Sequence, residues 1–235
     1  MPVAQQRAPQ RRRGRVRVAA LMRAAATVFA EKGFDAATMT EIAALAGAPI
    51  GSLYQFFPNK KVLADALLDR YGELIAAGLG EIEEVSAGLS ATALADAVLD
   101  LIANLREETS AAFALLDAQS DWSSRRAELR RATRSHIARI LAAREPQLPR
   151  ALVDQMAVIL LHNMRAMAAL IAAQGDEAEA GAPIELREMT RLYLVNRLGP
   201  ANPVDTVHRT GTVGLSAAEP GHCPTAETRT PPDHG

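Results

Sequence analysis

The chain contains almost no cysteine: Cys223 is the only one among 235 residues, and it lies in a C-terminal stretch rich in proline and glycine. A single cysteine excludes disulfide frameworks and metal sites built from several cysteines. Stretches of alternating polar and apolar residues, which would indicate β-strands, are also missing, and β-branched residues are scarce beside alanine and leucine. We therefore expect an all-α protein with no metal and no organic cofactor.

No apolar segment opens the chain, so we expect neither a signal peptide nor a membrane span, and a cytoplasmic location follows. The signatures of common enzymes are missing as well: there is no glycine-rich phosphate loop after a strand, no H-E-x-x-H motif and no nucleophile elbow. His136 and His162 are the only histidines before the C-terminal tail, and neither has a recognisable partner pattern. A helical enzyme is therefore the weaker alternative, and we assign no catalytic residue.

Charge is unevenly distributed although the formal net charge is only −1. Residues 1–60 contain nine Lys or Arg and three Asp or Glu, a net charge of +6, whereas the remainder contains 17 basic and 24 acidic residues, a net charge of −7. A basic head on an acidic body indicates a polyanion-binding module joined to a second unit.

Two helices are predicted in the first part of the basic head. Apolar residues recur at helical spacing from about Val16 until Gly33, which suits the position just after a helix. Thr38 can cap a second helix, and Glu41, three residues on, completes a capping box. Gly47 ends this helix after about two turns.

Further helices follow at similar boundaries. A short third helix fits between Pro49, which is tolerated in a first turn, and Pro58, which stops it. Asn59 can then cap a long fourth helix, and Pro183 suits the first position of the last one. With the first four, the remaining segments give about nine helices: 90–107, 109–120, 122–144, 149–174 and 183–198.

The stretch AGAPIGSLYQFFPNKK, residues 46–61, concentrates aromatic residues in a chain with only 4% of them. Two short helices joined by a glycine-containing turn form a helix-turn-helix pattern. Ala43 lets the helices approach, Leu53 inserts into their corner, and Ile42 and Phe57 complete that small core. The outside of the second helix then carries Ser52, Tyr54 and Gln55, and Phe56 could lie there too. This is the side that a recognition helix presents to the major groove.

The segment from about Val16 to Tyr71 resembles the DNA-binding domain of TetR/AcrR-type transcriptional regulators. Three motifs carry the resemblance: F-x-x-x-G-[FY] at residues 29–34, I-A-x-x-A-G at 42–47 and G-x-L-Y-x-x-F-x-x-K at 51–60. It implies an N-terminal three-helix helix-turn-helix domain followed by a larger helical domain for ligand binding and dimerisation. We accordingly divide the chain into a disordered basic arm (1–15), a DNA-binding domain (16–62), an effector and dimerisation domain (63–198) and a disordered tail (199–235).

The resemblance also implies which residues contact DNA. The helix end at Thr38 and Thr40 approaches a phosphate, to which its N–H groups are suited, and Lys60 pairs with another phosphate. Gln55 is the candidate for direct base readout, because its amide can pair with adenine through two hydrogen bonds. The remaining residues expected at or near the groove are Pro49, Ile50, Gly51, Ser52, Tyr54 and Phe56.

Two positions depart from the family's pattern. Many members have Ser or Thr where Pro49 stands and His or Tyr where Phe56 stands, so possible phosphate hydrogen bonds are lost. Phe56 could contact a thymine methyl group or pack inward, and both alternatives stay open. The arginines between Arg11 and Arg17 could follow phosphates or enter the minor groove, or form a passive tail.

The effector and dimerisation domain carries no diagnostic motif. On the helix predicted at 149–174, His162 and Arg165 belong to a polar stripe that could be a solvated face or could lie beside a ligand cavity. Asn163 lies on the apolar side. We expect an apolar or amphipathic effector, and the candidate residues of its pocket are Leu101, Leu105, Phe113, Leu116, Trp122, Met156, His162, Asn163 and Met167. Trp122 could instead anchor the start of a helix, and the methionines could simply fill the core.

One short recognition helix buries too little surface for specific binding, so a two-fold dimer on a palindromic operator is expected. The helices near 150–174 and 183–198 would form its four-helix interface. The sequence therefore predicts a ligand-responsive repressor with double-stranded DNA, a second copy of itself and a small-molecule effector as partners. A transcriptional activator and a DNA-binding protein without sequence preference are the alternatives.

Overall fold

The computed structural model describes residues 7–118, 122–173 and 177–199, without the side chains of 7–13, 117, 118 and 177–179. These residues form α-helices and one short 3-10 turn and include no strand, which confirms the all-α prediction. The helices are α1 (Arg7–Ala36), α2 (Met39–Leu45), α3 (Ile50–Phe56), α4 (Lys60–Val85), α5 (Ala91–Asn104), α6 (Arg106–Ala118), α7 (Ser123–Arg144), α8 (Arg150–Ala172) and α9 (Glu177–Leu198).

The N-terminal arm differs from the expectation of disorder. Helix α1 begins at Arg7, so residues 7–15 are helical, while residues 1–6 lie outside the described part. Pro9 falls in the first turn of α1, where its missing N–H is not needed, and Gly14 alone does not end a helix. The expected disordered tail also lies outside the described residues, except for Gly199.

The helix boundaries of the DNA-binding half follow the predicted caps. The Thr38 hydroxyl accepts a hydrogen bond from the Glu41 amide at 3.2 Å, and the Glu41 carboxylate accepts one from the Thr38 amide at 3.2 Å. Asn59 Oδ1 accepts from the Val62 amide at 2.9 Å. Gly33 has φ 74° and ψ 175°, a conformation open essentially only to glycine, and it kinks α1 near its C-terminal end.

The last helix begins earlier than predicted. Pro183, expected at its first position, is the seventh residue of α9, which starts at Glu177. Proline's fixed φ is compatible with a helix, and only one backbone hydrogen bond is lost near the N-terminal end. The break between α5 and α6 likewise falls at Leu105 instead of residue 108.

The corner between α2 and α3 is packed as predicted. Ile42, Ala43, Leu53 and Phe57 are all buried and belong to the core that runs through the whole described chain. Phe29 adds to this corner by stacking on the Phe34 ring at 5.9 Å between centroids. This packing holds α3 in place while its other side faces solvent.

The start of α7 docks onto the DNA-binding helices through Trp122, which is 2% exposed. Its ring meets the Phe34 ring edge to face at 5.0 Å, and its Nε1 donates to Asp65 Oδ1 at 2.8 Å. Phe34 lies at the end of α1 and Asp65 in the second turn of α4. Trp122, at the end of the connection between α6 and α7, therefore contacts both α1 and α4, the helices on either side of α2 and α3.

Helix α9 is attached to α5 by ion pairs and to α8 by a buried hydrogen bond. Arg191 makes two hydrogen bonds to Asp96, both at 2.9 Å, and Arg187 donates to Asp96 at 3.1 Å and to Asp100 at 2.6 Å. Asn163 donates to the Thr190 hydroxyl at 3.0 Å.

Helix α8 is the one described helix that is long and apolar enough to cross a membrane, by length and composition alone. Met156, Leu160 and Met164 of this helix are at most 2% exposed and pack into the core between α5, α7 and α9, whereas Ile159 is 43% exposed.

Candidate DNA interface and effector cavity

The outward side of α3 presents six of the residues expected at the groove. Tyr54 is 49% exposed, Ile50 40% and Phe56 39%, and the other three, Pro49, Gly51 and Gln55, are exposed as well. An apolar surface of this kind, on a helix held by a buried corner, has no partner in the described chain. The structure therefore brings these side chains together on one accessible face.

Ser52 was expected on the outside of α3 but is buried at 8% exposure. Its hydroxyl accepts a hydrogen bond from Arg17 Nη1 at 3.5 Å. This contact comes from a residue 35 positions away in the sequence, which the short motif could not reveal. Ser52 therefore links α3 to α1, and Arg17 lies beside the recognition helix.

The start of α2 is pre-organised by charged groups. Thr38 and Thr40 are exposed there, as expected for a phosphate contact. Lys32 of α1 pairs with Glu41 at 2.6 Å, while the Thr38 hydroxyl also donates to Glu41 at 2.9 Å. Hydrogen bonding from Lys32 holds the pKa of Glu41 below its ordinary value, so its carboxylate stays charged at the helix N-terminus.

Lys60 was expected to pair with a phosphate, but the structure gives its ammonium group other partners. Lys60 Nζ donates to the backbone carbonyls of Phe34 at 2.6 Å, Asp35 at 3.0 Å and Ala37 at 2.9 Å. An ammonium group has three N–H donors, so all of them are engaged. Lys60 therefore caps the carbonyl groups at the C-terminal end of α1. Its neighbour Lys61 is more exposed to solvent.

Phe56 borders a cleft of about 750 Å³ between α1, α3, α4 and the start of α6. The cleft has an apolar floor that includes Met22 and Leu67, and its rim carries charges of both signs, among them Arg70 and Glu107. The ring of Phe56 is neither buried in the core nor fully exposed to solvent. It closes the side of the cleft next to the recognition helix.

A second, smaller cavity of about 60 Å³ lies inside the helical bundle, where α4, α5, α6, α7 and α8 meet. Its apolar lining includes Ile75, Phe113, Leu116 and Met164. The lining residues with polar or charged groups are Tyr71, Arg126, Arg130, Thr133 and Arg165.

Two of the nine predicted pocket residues, Phe113 and Leu116, line this inner cavity, and Arg165 of the polar stripe does too. The others are placed elsewhere. Trp122 anchors α7, Asn163 bonds to Thr190, and His162 is exposed. Four apolar candidates pack in or against the core without lining the cavity: Leu101, Leu105, Met156 and Met167.

Sequence reasoning missed the arginines of α7. Arg126, Arg130 and Thr133 are spaced by four and three residues and therefore share one side of the helix with Leu129. That spacing was a usable signal, but an arginine-rich helix also suits a solvated face. A Cβ added at Gly72 of α4 would lie only 2.9 Å from Leu129 Cδ2, so Leu129 packs against α4, while Arg130 on the same side of α7 is exposed.

The Tyr71 phenol lies deep in this region. Burial raises its pKa above the ordinary value, and the nearby Thr109 side chain and the positive charge of Arg165 offset part of that rise. Tyr71 is therefore a neutral hydrogen-bonding group facing a cationic side chain. Among the residues that the structure describes, no cluster of His, Cys, Asp or Glu is suited to hold a metal ion.

Residues 21–67 match the family model of bacterial regulatory proteins of the tetR family. The HTH-type transcriptional repressor KstR2 of Rhodococcus jostii (strain RHA1) is 36% identical over a stretch covering 37% of this chain. The chain spans about half the length, 52%, of that curated relative.

Solved structures with the same fold cover most of the chain. A transcriptional regulator of the TerR/AcrR family from Aquifex aeolicus VF5 matches 75% of this chain and 99% of its own, with a TM-score of 0.61 and 18% identity. A TetR-like regulator from Rhodococcus sp. RHA1 matches 77% of this chain and 96% of its own, with a TM-score of 0.57 and 21% identity. These similarities establish the fold.

Proposed function

Because the chain belongs to the TetR family of bacterial regulatory proteins, we propose that it is a cytoplasmic, ligand-responsive transcriptional regulator that binds a specific DNA sequence. The observation that carries the proposal is the exposed side of α3, which presents Tyr54 and Gln55 on a helix fixed by a buried corner. Residues 16–62 form the DNA-binding domain in this proposal, and residues 63–198 form the effector and dimerisation domain.

In the complex, α3 lies in the major groove. Gln55 reads an adenine through its side-chain amide, an interaction worth about 1–3 kcal/mol of discrimination against a wrong base. Tyr54 donates to a phosphate, and the exposed Pro49 and Ile50 contact base edges or methyl groups. Thr38 and Thr40 meet the neighbouring phosphate through the N-terminus of α2.

The protein acts as a dimer that places two copies of α3 about one DNA turn apart, roughly 34–36 Å. Apolar side chains on the exposed surface of the last two helices support this assembly. On α9, Ile184 is 70% exposed, Leu192 61% and Met189 54%; on α8, Ile159 is 43% exposed. Pairing α8 and α9 with their copies would bury this apolar surface in a four-helix interface.

An effector changes DNA binding through α4. This helix begins beside the helix-turn-helix at Lys60 and contributes Tyr71 and Ile75 to the inner cavity. A molecule that enters the cavity displaces α4, alters the spacing of the two recognition helices and weakens operator binding. Repression is the outcome most consistent with the KstR2 similarity, since that protein is described as a repressor.

A gel-shift titration with DNA flanking the protein's own coding sequence tests this function. We expect one fragment to be bound in preference to competitor DNA at about 0.15 M salt, with Tyr54→Ala and Gln55→Ala each weakening that preference. Transcription from the bound promoter in the presence and absence of the protein then separates a repressor from an activator. A protein without sequence preference would bind all fragments alike.

A further inference from the structure

We propose that the cleft beside Phe56 is a second ligand site, which binds an uncharged and largely hydrophobic small molecule. Its lining joins α1 and the last residue of α3 to α4 and the start of α6. A molecule bound there contacts the recognition helix itself, whereas a molecule in the inner cavity acts on that helix only through α4. The site is independent of the proposed function, but its effect on DNA binding rests on that function.

The first argument is size. The cleft has a volume of about 750 Å³, which lies within the range of roughly 300–1,000 Å³ that ligand pockets usually have. The inner cavity, at about 60 Å³, and a cleft of about 310 Å³ between α4 and α7 are both smaller, and the latter is lined by the ion pair of Asp69 with Arg125. The cleft beside Phe56 therefore accommodates a small molecule without a rearrangement of the helices.

The second argument is the apolar floor of the cleft. Val18, Met22 and Ala26 recur every four residues, so they share one side of α1, and Leu67 of α4 adds to the same floor. Val18 and Met22 are only half-buried, and Phe56 is 39% exposed. Removing such surface from water is favourable by about 25 cal/mol per Å². The floor therefore favours a ligand with a hydrocarbon or aromatic body.

The third argument is that the charged groups described around the cleft are of both signs. Arg15 and Arg23 come from α1 and Arg70 from α4, while Glu107 and Glu108 come from the start of α6. A carboxylate would be repelled by the glutamates and an ammonium group by the arginines, so a net charge on the ligand gains on one side and loses on the other. A neutral molecule avoids both repulsions, and a hydroxyl group at its end can donate to a glutamate or accept from an arginine.

The link to DNA binding is Phe56, which borders the cleft at the end of α3. A ligand that packs on its ring competes with DNA for this end of the recognition helix, so operator binding weakens. Coupling between two sites is reciprocal, so operator DNA should weaken ligand binding by the same factor, about fivefold or more.

The test uses the full-length protein and Nile red, an uncharged dye whose fluorescence rises in apolar surroundings. We expect saturable binding, and displacement of the dye by 1-decanol at a concentration about tenfold or more below that needed for decanoate or decylammonium. Equally effective displacement by either ion, or no saturable binding, would overturn the proposal.

Matched variants locate the site. Ala19 is an exposed residue of the lining on α1, so Ala19→Glu should fold and should lower Nile red affinity about tenfold or more, because it places a charge on the apolar floor. Ala30→Glu introduces the same side chain at an exposed position of α1 outside the described linings of the cleft and the inner cavity, and it should leave the affinity unchanged. Equal affinities in the two variants would contradict the assigned position.

A second copy of the chain is the other occupant that an exposed apolar cleft could have. In that case Nile red affinity would fall as the protein concentration rises, and Ala19→Glu would lower the oligomeric state in analytical ultracentrifugation. Either result would replace the small-molecule site by an interface between copies. We expect an affinity that does not depend on protein concentration.

DNA binding separates this proposal from the proposed function. If the protein prefers one DNA fragment but Ala19→Glu binds Nile red as well as the wild type does, the regulatory function stands and the cleft assignment fails. If no fragment is preferred while the dye still binds in the cleft, the site stands and the regulatory function fails. A preferred fragment that leaves dye affinity unchanged would overturn the coupling between the cleft and DNA.

Discussion

Gly51 is the second residue of α3, in the first turn of that helix, although glycine is the residue that helices favour least after proline. A Cβ built at this position meets no atom within 4 Å, so nothing inside the protein requires the missing side chain. The exposed helix would be more stable with alanine. A glycine at this point is explained if the DNA itself approaches the backbone of α3.

We therefore expect Gly51→Ala to raise the free energy of unfolding by no more than about 0.5 kcal/mol and yet weaken operator binding about tenfold. Urea denaturation and gel shift measure the two effects separately. Gly80→Ala on α4 is the matched control, because its Cβ position is equally empty and it lies far along α4 from α3. Unchanged DNA affinity in Gly51→Ala would show that the groove does not touch this residue.

Lys60 provides a second test at the residue scale. Replacing it by methionine removes three hydrogen bonds to the carbonyls of Phe34, Asp35 and Ala37, and we expect a loss of about 1–2 kcal/mol in the free energy of unfolding. Lys61→Met should change stability by less than about 0.5 kcal/mol. If Lys60→Met instead leaves stability intact and lowers the salt dependence of DNA binding, the phosphate role is restored.

The residues whose positions were predicted correctly differ from the others in how far along the sequence their contact partners lie. Leu53 and Phe57 are core because of their own spacing within a short motif. Ser52 was placed on the wrong side of α3 because its partner Arg17 comes from α1. The partners of Lys60 and Trp122 also come from distant segments, namely the carbonyls at the end of α1 and Asp65 of α4. Such contacts depend on tertiary packing, which local periodicity does not encode.

At the scale of helices, Trp122 attaches the start of α7 to α4 through Asp65 and to the end of α1 through Phe34. Trp122 is the only tryptophan of the sequence, so its fluorescence reports on this junction directly. Effector binding in the inner cavity should shift that emission if α7 moves relative to α4.

Trp122→Phe keeps an aromatic ring against Phe34 but removes the hydrogen bond to Asp65. A hydrogen bond to a charged group contributes about 1.5–3 kcal/mol, so we expect the melting temperature to fall by about 5 °C. Differential scanning calorimetry measures this change, and Asp65→Ala should produce a similar loss that is not additive with it. Full additivity in the double variant would mean that the two residues do not act together.

The ion cluster between α5 and α9 predicts a pH dependence. Hydrogen bonding from Arg191, and also from Arg187, holds the pKa of Asp96 below its ordinary value. A lowered pKa means that Asp96 stabilises the fold at every pH above its unfolded-state pKa of about 3.9, and that this contribution is lost as the pH falls through the folded-state value.

We therefore expect wild-type protein to lose more stability than Asp96→Asn between about pH 5 and about pH 3, as followed by urea denaturation at each pH. The control is Asp154→Asn, which alters an exposed pair with Arg150 on α8 and should follow the wild-type curve. Parallel curves for wild type and Asp96→Asn would show that the cluster contributes nothing.

At the scale of the whole molecule, the proposed dimer explains why apolar side chains remain exposed on α8 and α9. Leu192→Glu should convert the dimer to a monomer in analytical ultracentrifugation and reduce operator affinity, because one recognition helix alone makes too few contacts. Val85→Glu is the control, since Val85 is 55% exposed at the end of α4, away from this surface. A Leu192→Glu protein that stays dimeric would place the interface elsewhere.

Most of the architecture was predictable because caps, prolines and helical periodicity are local, and α2, α3 and α4 begin at or next to the cap residues inferred from the sequence. The inner cavity was not, because it forms where five helices meet and because arginines on α7 resemble a solvated face. The lining of that cavity could therefore not be predicted from local sequence patterns.

The measurement that tests the account most directly compares the affinity of the full-length protein for the DNA flanking its coding sequence with its affinity for scrambled DNA of equal composition. At about 0.15 M salt we predict a preference of roughly 10³-fold or more, which Gln55→Ala reduces. Equal affinity for both DNAs would contradict the claim that α3 reads a specific sequence.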